Sequence, residues 1–174
     1  QGNRAVTGNA MRGGGGLYVY RSAITLTNDL IADNRICSNT CLFVYGPGIY
    51  LEYSTASVVH TTLARNQGGD GAGLHATYSP TYPDGRLYST VFMTNSLVVS
   101  HTIGVRSEKS KVWQDSTLWG SGSWANLANW SGSSPITHTN DYTGNPDFVS
   151  PNAGNYHLNA GSAAIDKGLN AGVI

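Results

Sequence analysis

The chain has 174 residues, and its ten basic and ten acidic residues leave a formal net charge of zero. A neutral surface argues against nucleic acids and anionic membranes as partners, because both attract basic proteins. Only 11% of the residues are charged, and the chain contains 22 glycines, a composition that excludes helical bundles and coiled coils. A hydrophobic share of 40% excludes disorder, and no apolar run is long enough to cross a membrane.

Two kinds of segment repeat along the chain. Segments that begin at Gly16, Gly48 and Gly73 superimpose, with a weaker copy at Gly104, and each alternates apolar and polar residues. This alternation is typical of a short strand with one buried face. A second set of segments begins at Asn28, His60 and Asn95, and faintly at Asp115, and follows the first set in the same order. One structural unit therefore contains two or three short strands joined by turns.

The spacing of the units varies between 25 and 32 residues, as strands with variable loops between them allow. This pattern predicts an all-β fold, a right-handed parallel β-helix (β-solenoid) of about four to five coils, with coils stacked roughly 4.8 Å apart. Residues 35–45 and 80–88 are predicted to be loop insertions. The predicted inward columns are Leu17/Ile49/Leu74/Val105, Val19/Leu51/Ala76 and Ile31/Leu63/Val98/Leu118.

Asparagines and a histidine recur at the predicted turns. His60 shares its row with Asn28 and Asn95, which indicates a turn position. Asn34 and Asn66 suit either a left-handed turn conformation or a ladder of side-chain amides. Asn3 falls at the same position, so the chain is expected to open at the tail of a coil and to be a piece of a longer parent chain.

The last third of the chain differs from the repeats. We predict one structural domain, with β-helix coils over 1–108, and a last coil with an irregular, Trp-rich C-terminal cap over 109–174. A cap is expected because the end of a solenoid exposes unpaired backbone and core. The four tryptophans of this stretch are Trp113, Trp119, Trp124 and Trp130.

The glycine-rich coil starts and a closing run carry a resemblance to a known family. The closing run is Asn145-Pro146-Asp147-Phe148-Val149, then Tyr156-His157-Leu158, then Gly161-Ser162-Ala163-Ala164-Ile165-Asp166-Lys167-Gly168. The chain resembles bacterial right-handed parallel β-helix repeat proteins of the pectate-lyase-like superfamily, especially large secreted or surface proteins with a choice-of-anchor end. The resemblance implies this fold and an extracellular or cell-surface location, and most such proteins have no assigned reaction.

Cys37 and Cys41 lie together in the first loop insertion. Three intervening residues allow a small disulfide, which an exported protein would favour. Free thiols and a metal site are the alternatives, but a zinc site needs two further ligands nearby. The sequence therefore favours a structural disulfide.

Aromatic residues dominate two predicted outward rows of the first strand type. One row contains Tyr18, Tyr50, His75 and Arg106, and the other contains Arg21, Tyr53, Tyr78 and Lys109. Aligned aromatic rings offer faces to sugar rings, so we single out Tyr18, Tyr50, Tyr53, His75, Tyr78 and Arg106 as candidate glycan-binding residues. The alternative is that stacked tyrosines only stabilise neighbouring strands.

Clustered acids, which catalysis on polysaccharides requires, are not evident. Glu52 and Glu108 share a predicted row two coils apart, near the wide end of the separation that an inverting glycoside hydrolase uses. The other acids of the coils are scattered and are expected to be solvated. Asp141, Asp147 and Asp166 in the predicted cap offer either a calcium site or ordinary surface carboxylates. We therefore assign no catalytic residue, no metal ligand and no cofactor other than this candidate calcium.

The leading hypothesis is a non-catalytic extracellular β-helix module of a bacterial surface or secreted protein. It would serve as a scaffold or adhesive, with a polysaccharide or glycan as its expected partner and no insertion into a membrane. The alternative is a polysaccharide lyase or glycoside hydrolase, or the non-catalytic tail of one.

Overall fold

A computed structural model describes residues 2–5, 13–36, 44–78 and 88–170. Its regular structure is almost entirely β-strand and forms three parallel sheets of five strands each. The first sheet contains β2 (Leu17–Tyr20), β6 (Ile49–Glu52), β9 (Ala72–Thr77), β12 (Ile103–Ser107) and β15 (Ala128–Gly132). The second contains β3 (Ala23–Thr27), β7 (Thr55–Val59), β10 (Thr90–Thr94), β13 (Lys111–Asp115) and β16 (Ile136–Thr139). The third contains β4 (Leu30–Ala32), β8 (Thr62–Ala64), β11 (Leu97–Val99), β14 (Leu118–Gly120) and β17 (Tyr142–Gly144).

The chain visits the three sheets in the same order five times. Each strand pairs in parallel with the equivalent strand of the next coil, so each coil contacts its neighbours through all three sheets. The chain is therefore a parallel β-helix with five coils, as the sequence predicts. A short fourth side adds β1 (Arg4–Ala5) and β5 (Arg35–Ile36), which pair in parallel, and Arg35 also forms a bridge to Gln67.

The interior consists of aliphatic columns, because alternate residues of each strand point inward. The register confirms the two columns predicted for the first sheet, Leu17/Ile49/Leu74/Val105 and Val19/Leu51/Ala76. In the third sheet the column Ile31/Leu63/Val98 is also confirmed, but its next member is Trp119 and not Leu118. Leu118 pairs with Leu97 instead, and a one-residue slip of this kind exchanges the inner and outer faces of a strand.

We call the bend after each sheet a corner; the first lies between the first and second sheets, the second between the second and third sheets, and the third after the third sheet. Each corner combines a left-handed residue with a polar residue that bonds to the next coil. At the second corner Asn28, His60 and Asn95 have φ of +57°, +50° and +50°, which confirms their predicted turn position. The residue that follows the turn accepts a backbone hydrogen bond through its side chain. Thr61 N–H, for example, donates to Ser96 Oγ at 3.3 Å, and Thr117 N–H donates to Asp141 Oδ1 at 2.9 Å.

The third corner contains the predicted amide ladder. Asn34 Nδ2 donates to Asn66 Oδ1 at 2.9 Å, and both side chains are buried. The left-handed residues are the preceding ones, Asp33 and Arg65. His101 takes the next position of the ladder, and Asn126 Oδ1 accepts the His101 N–H at 2.9 Å.

The glycines that open the repeats make room for this ladder. A Cβ at Gly48 would lie 3.0 Å from Asn66 Nδ2, and a Cβ at Gly73 would lie 2.9 Å from the His101 ring. These distances are unusually short for a real Cβ atom, so the position favours glycine whether the ladder residue follows 18 residues later, as in the first two coils, or 28 residues later, as in the third. The glycine and the ladder residue of each of these coils are therefore far apart in the sequence but adjacent in the structure.

An antiparallel hairpin follows the last coil. It contains β18 (Phe148–Ser150) and β19 (Asn155–Leu158). Phe148 and Tyr156 pack on the outward side chains of the third sheet, including Leu97 and Leu118. The hairpin consequently covers the flank of the solenoid rather than its end.

The Trp-rich stretch supplies coil strands. Trp113, Trp119 and Trp130 lie in β13, β14 and β15, and Trp124 ends a short 3₁₀ turn that begins at Gly122. The irregular part after the coils begins beyond Gly144. Residues 37–43 and 79–87, which make up most of the two predicted insertions, lie outside the described residues, and so do Cys37, Cys41 and their predicted disulfide.

Candidate functional site

The first predicted aromatic row is aligned, but half of it is not accessible. Tyr18, Tyr50, His75 and Arg106 stand in register on consecutive coils of the first sheet. Tyr50 and His75 are only 5% and 3% exposed. The Tyr45 ring covers them: it stacks on the Tyr50 ring with centroids 5.8 Å apart and contacts the His75 ring edge-on at 5.3 Å. Tyr18 remains exposed, and its ring stacks with the Tyr50 ring at a centroid distance of 5.4 Å.

A close contact between the Asp70 carboxylate and the His75 ring fixes the covered half of the row. Asp70 Oδ2 lies 2.6 Å from His75 Nδ1, and Asp70 Oδ1 accepts the Gly46 N–H at 2.8 Å. Burial by itself would raise the pKa of Asp70, but the contact with His75 and the hydrogen bonds from the Gly46 and Ala72 N–H groups together lower it. The carboxylate thus ties the segment that carries Tyr45 to the first sheet, and these residues form a structural cluster.

The second predicted row lies along the first corner. Arg21, Tyr53 and Lys109 all have left-handed φ between +44° and +54°. The Arg21 guanidinium lies 5.7 Å from the centre of the Tyr53 ring, and Lys109 Nζ lies 4.5 Å from the centre of the Tyr78 ring. Each tyrosine of this row therefore presents a face that a cation already contacts.

The two aligned glutamates are both engaged by neighbours. Glu52 is 1% exposed, and the Tyr18 hydroxyl donates to its Oε2 at 2.9 Å. Glu108 Oε1 lies 3.0 Å from Arg106 Nη2, and its Oε2 accepts the Ser133 N–H at 3.2 Å. Partial burial raises the pKa of Glu108, but Ser133 and Arg106 lower it by more. The pair therefore lacks the open carboxylates that a hydrolase places across a scissile bond.

The described ranges contain no group of three or more His, Cys, Asp or Glu side chains that could hold a metal ion. Asp141, one of the candidate calcium ligands, accepts hydrogen bonds from the Thr117 N–H and from Trp119 Nε1, at 2.9 and 3.1 Å. Asp147 accepts one from Asn159 Nδ2 at 3.5 Å. These carboxylates bond to their own surroundings within the fold.

An exposed aromatic stack that the sequence pattern did not single out lies on the second sheet. Phe92 and Trp113 are 48% and 38% exposed and occupy equivalent positions of β10 and β13. Their ring centroids are 5.0 Å apart, and the ring planes differ by 9°. A signal was present in the sequence, because each aromatic residue stands between two inward residues, as in Val112-Trp113-Gln114.

Small and polar residues surround this pair, and together with them it forms what we call the second-sheet aromatic surface. In the same outward row Ser57 lies beside Phe92, and Thr137 lies beside Trp113. The two rings cover one face of each other, so their opposite faces are directed toward these small side chains. Further members of the surface are Thr90, Thr94, Lys111 and Asp115, whose strand positions flank the two rings.

Comparison with protein-family models, with curated proteins and with solved structures finds no match to the chain. In the part of the chain that the structure describes, no helix has both the length and the apolar character needed to span a bilayer. The fold thus establishes the class of the protein, a parallel β-helix.

Proposed function

We propose that the chain is a non-catalytic β-helix module that binds neutral glycans on its second-sheet aromatic surface. The observation that carries this proposal is the exposed Phe92–Trp113 stack on a parallel sheet. The negative face of an aromatic ring attracts the polarised C–H groups of a pyranose. Hydroxyl side chains beside the rings, such as Thr94 and Thr137, can bond to the sugar hydroxyls.

The charge of the surface favours neutral sugars over polyanions. Lys111 and Asp115 stand on either side of Trp113 along β13, so the opposite charges offset each other. Lys111 Nζ also lies 4.6 Å from the centre of the Tyr88 ring. The whole chain is neutral as well, which gives no long-range attraction to uronic-acid polymers.

The wider role is that of an extracellular scaffold or adhesive in a bacterial secreted or surface protein, within a longer parent chain. The resemblance of the coil starts and of the closing run to choice-of-anchor β-helix proteins supports this role. The engagement of Glu52 and Glu108 by neighbouring groups supports a non-catalytic module. Release of unsaturated or reducing sugars from polysaccharides by the purified chain would contradict this part of the proposal.

Replacing Trp113 with alanine should weaken oligosaccharide binding about tenfold, a loss of about 1.4 kcal/mol. Phe92→Ala should weaken binding in the same direction, because each ring supports the other. Binding of cello-, chito- and manno-oligosaccharides can be measured by isothermal titration calorimetry. Both side chains are partly exposed, so the melting temperature should change little.

Two matched variants locate the binding surface. Thr25→Ala changes the same outward row but lies on β3, two coils from Phe92, and should leave affinity unchanged. Tyr53→Ala changes the row at the first corner. If Tyr53→Ala abolishes binding while Trp113→Ala does not, the glycan lies on the first-sheet side and our assignment to the second sheet is wrong.

A further inference from the structure

The N-terminal end of the solenoid leaves three strand edges open. In each of the three sheets the strand of the first coil, β2, β3 or β4, is the outermost one. Within the residues that the structure describes, no other strand pairs with the outer edges of these three. Unpaired parallel edges are templates for further strands.

The interior at this end is apolar and incompletely covered. Four inward side chains of the first coil are only half-buried, although Val19 is 5% exposed, and the counterparts of these four residues one coil further on are fully buried. The half-buried residues are Leu17, Ile24, Leu26 and Ile31, and the counterparts are Ile49, Ala56, Val58 and Leu63. The open end thus exposes a cross-section of the hydrophobic core.

The opposite end has a different chemistry. Along one inward column of the second sheet, Met93 is followed by Gln114 and then by His138. Trp130 Nε1 donates to Gln114 Oε1 at 2.9 Å, and the Trp130 ring stacks on the His138 ring at 4.5 Å. Polar groups therefore close this column at the C-terminal end, as in the terminal repeats of other solenoids, whereas the neighbouring column ends in the half-buried Ile136. Such an end does not complement the apolar N-terminal end, which argues against head-to-tail stacking of two copies.

Residues 2–5 already occupy part of the next coil. Gly2 N–H donates to the Ala32 carbonyl at 3.0 Å, and Asn3 N–H donates to Asn34 Oδ1 at 3.0 Å. Asn34 N–H donates to Asn66 Oδ1 at 3.1 Å in the same manner, so Asn3 holds a ladder position. On the fourth side, β1 therefore extends one strand beyond β2, β3 and β4. This protruding strand would keep the N-terminal ends of two copies from meeting along all three sheets.

We propose that the N-terminal end binds one further parallel coil, supplied by polypeptide joined to Gln1. Three strands of this coil would pair with β2, β3 and β4, and their inward aliphatic side chains would cover Leu17, Leu26 and Ile31. The partner chemistry is defined by the register: apolar inward residues on three sides, ending in the Asn3 ladder position. This inference concerns an interaction surface on another part of the molecule and goes beyond glycan binding.

Grafting a coil onto this end tests the proposal. Asn66 and Asn3 hold equivalent ladder positions, so a copy of Gly48–Arg65 placed directly before Asn3 supplies a coil in register. We expect this extension to raise the melting temperature by about 5 °C or more, because stability grows with each stacked coil. We also expect amide hydrogen exchange in β3 and β4 to slow at least about tenfold.

A matched insert carries Leu51→Ser, Val58→Ser and Leu63→Ser in the copied residues and should give neither effect. Equal gains from both inserts, or no gain from the apolar insert in a folded chain, would overturn the proposal. If the full insert prevents folding, a shorter copy of Thr55–Arg65 should protect β3 and β4 but not β2.

Sedimentation tests whether a second copy of the chain is the partner. A dimer of the unextended chain that the apolar insert dissociates would show that the end binds a second copy instead.

Discussion

Replacing Arg65 with alanine should release the C-terminal hairpin from the coils while the solenoid itself stays folded. The expected cost to hairpin docking is about 2 kcal/mol, which corresponds to a roughly 30-fold rise in local opening. Native-state hydrogen exchange of the amides in β18 and β19 measures this opening directly. Exchange within β7 and β10 should stay unchanged, since those strands belong to the core of the coils.

The expectation rests on the number of contacts that this one side chain makes with the hairpin. Arg65 Nη2 donates to the Pro151 carbonyl at 2.6 Å, Nη1 donates to Asn152 Oδ1 at 2.8 Å, and the guanidinium lies 5.3 Å from the centre of the Tyr156 ring. Asp33 completes the group, because Oδ1 lies 2.8 Å from Arg65 Nε and Oδ2 accepts the Tyr156 hydroxyl at 2.7 Å. Burial and the hydrogen bond to Asp33 raise the pKa of Tyr156, so this hydroxyl remains a donor. The Arg65 and Asp33 side chains are 22% and 30% exposed, which keeps the estimate below that for a fully buried pair.

Arg65→Lys is the matched control for this prediction. Lysine keeps the charge and the left-handed backbone position but lacks the planar fork that reaches several acceptors at once. Its opening should fall between that of the wild type and that of Arg65→Ala. Unchanged exchange of β19 in the alanine variant would mean that Phe148 and Tyr156 hold the hairpin without the guanidinium.

Acid should destabilise the fold by about 3 kcal/mol between pH 6.5 and pH 4 through His101 alone. Burial lowers the pKa of His101 from 6.5 to about 4, although hydrogen bonding to Asn126 opposes the shift. Between these two pH values the unfolded chain therefore binds a proton at His101, whereas the folded chain does not. The full stability is present above pH 6.5 and is lost as the pH falls toward 4. Urea unfolding at several pH values measures this loss.

The ladder explains why a proton is excluded. Asn66 Oδ1 accepts hydrogen bonds from Asn34, which directs Asn66 Nδ2 toward His101 Nε2 at 3.1 Å. Nε2 must therefore be the acceptor, and a proton there would face an N–H donor. The pKa of Asp70 is lowered too, in spite of its burial, by His75 and by backbone N–H donors, but that carboxylate loses its contribution only as the pH falls below 3.8, outside the His101 window.

His101→Asn isolates the effect of this one group. Asparagine occupies the equivalent position in the first two coils, so it should continue the amide ladder without titrating. The dependence of unfolding free energy on pH should become flatter between pH 4 and 6.5 by about the amount assigned to His101. Parallel profiles for the two proteins would refute the prediction.

The repeat pattern was enough to predict the coils and most of the core. Gly16, Gly48 and Gly73 mark equivalent positions because each makes room for a ladder side chain, and strict alternation then sets which neighbours point inward. The predicted alignment of the third sheet is wrong by one residue at Leu118. There the fourth repeat is faint, and a residue as large as Trp119 is not expected to point inward. Trp119 is accommodated in the interior because Asp141 accepts its Nε1–H at 3.1 Å, a partner from the next coil.

The candidate site was harder to predict, since exposure depends on contacts between distant segments. Alternation correctly placed Tyr50 and His75 on the outer face, but their burial depends on Tyr45 and Asp70, which belong to irregular segments. The exposed Phe92–Trp113 stack, by contrast, follows from alternation and register alone. Its glycan-binding role stays a proposal, as does that of the tyrosines predicted first.

The flank-mounted hairpin has a mechanical consequence. The chain beyond it returns to the middle of the stack, where Asn95 Nδ2 donates to the Leu169 carbonyl and Asn95 Oδ1 accepts the Leu169 N–H, both at 2.7 Å. Tension applied at this tail would reach the third coil through Asn95 and the first two through Asp33 and Arg65, in shear. The strands of the fifth coil would then not separate one at a time, which is a useful property for a module under mechanical load.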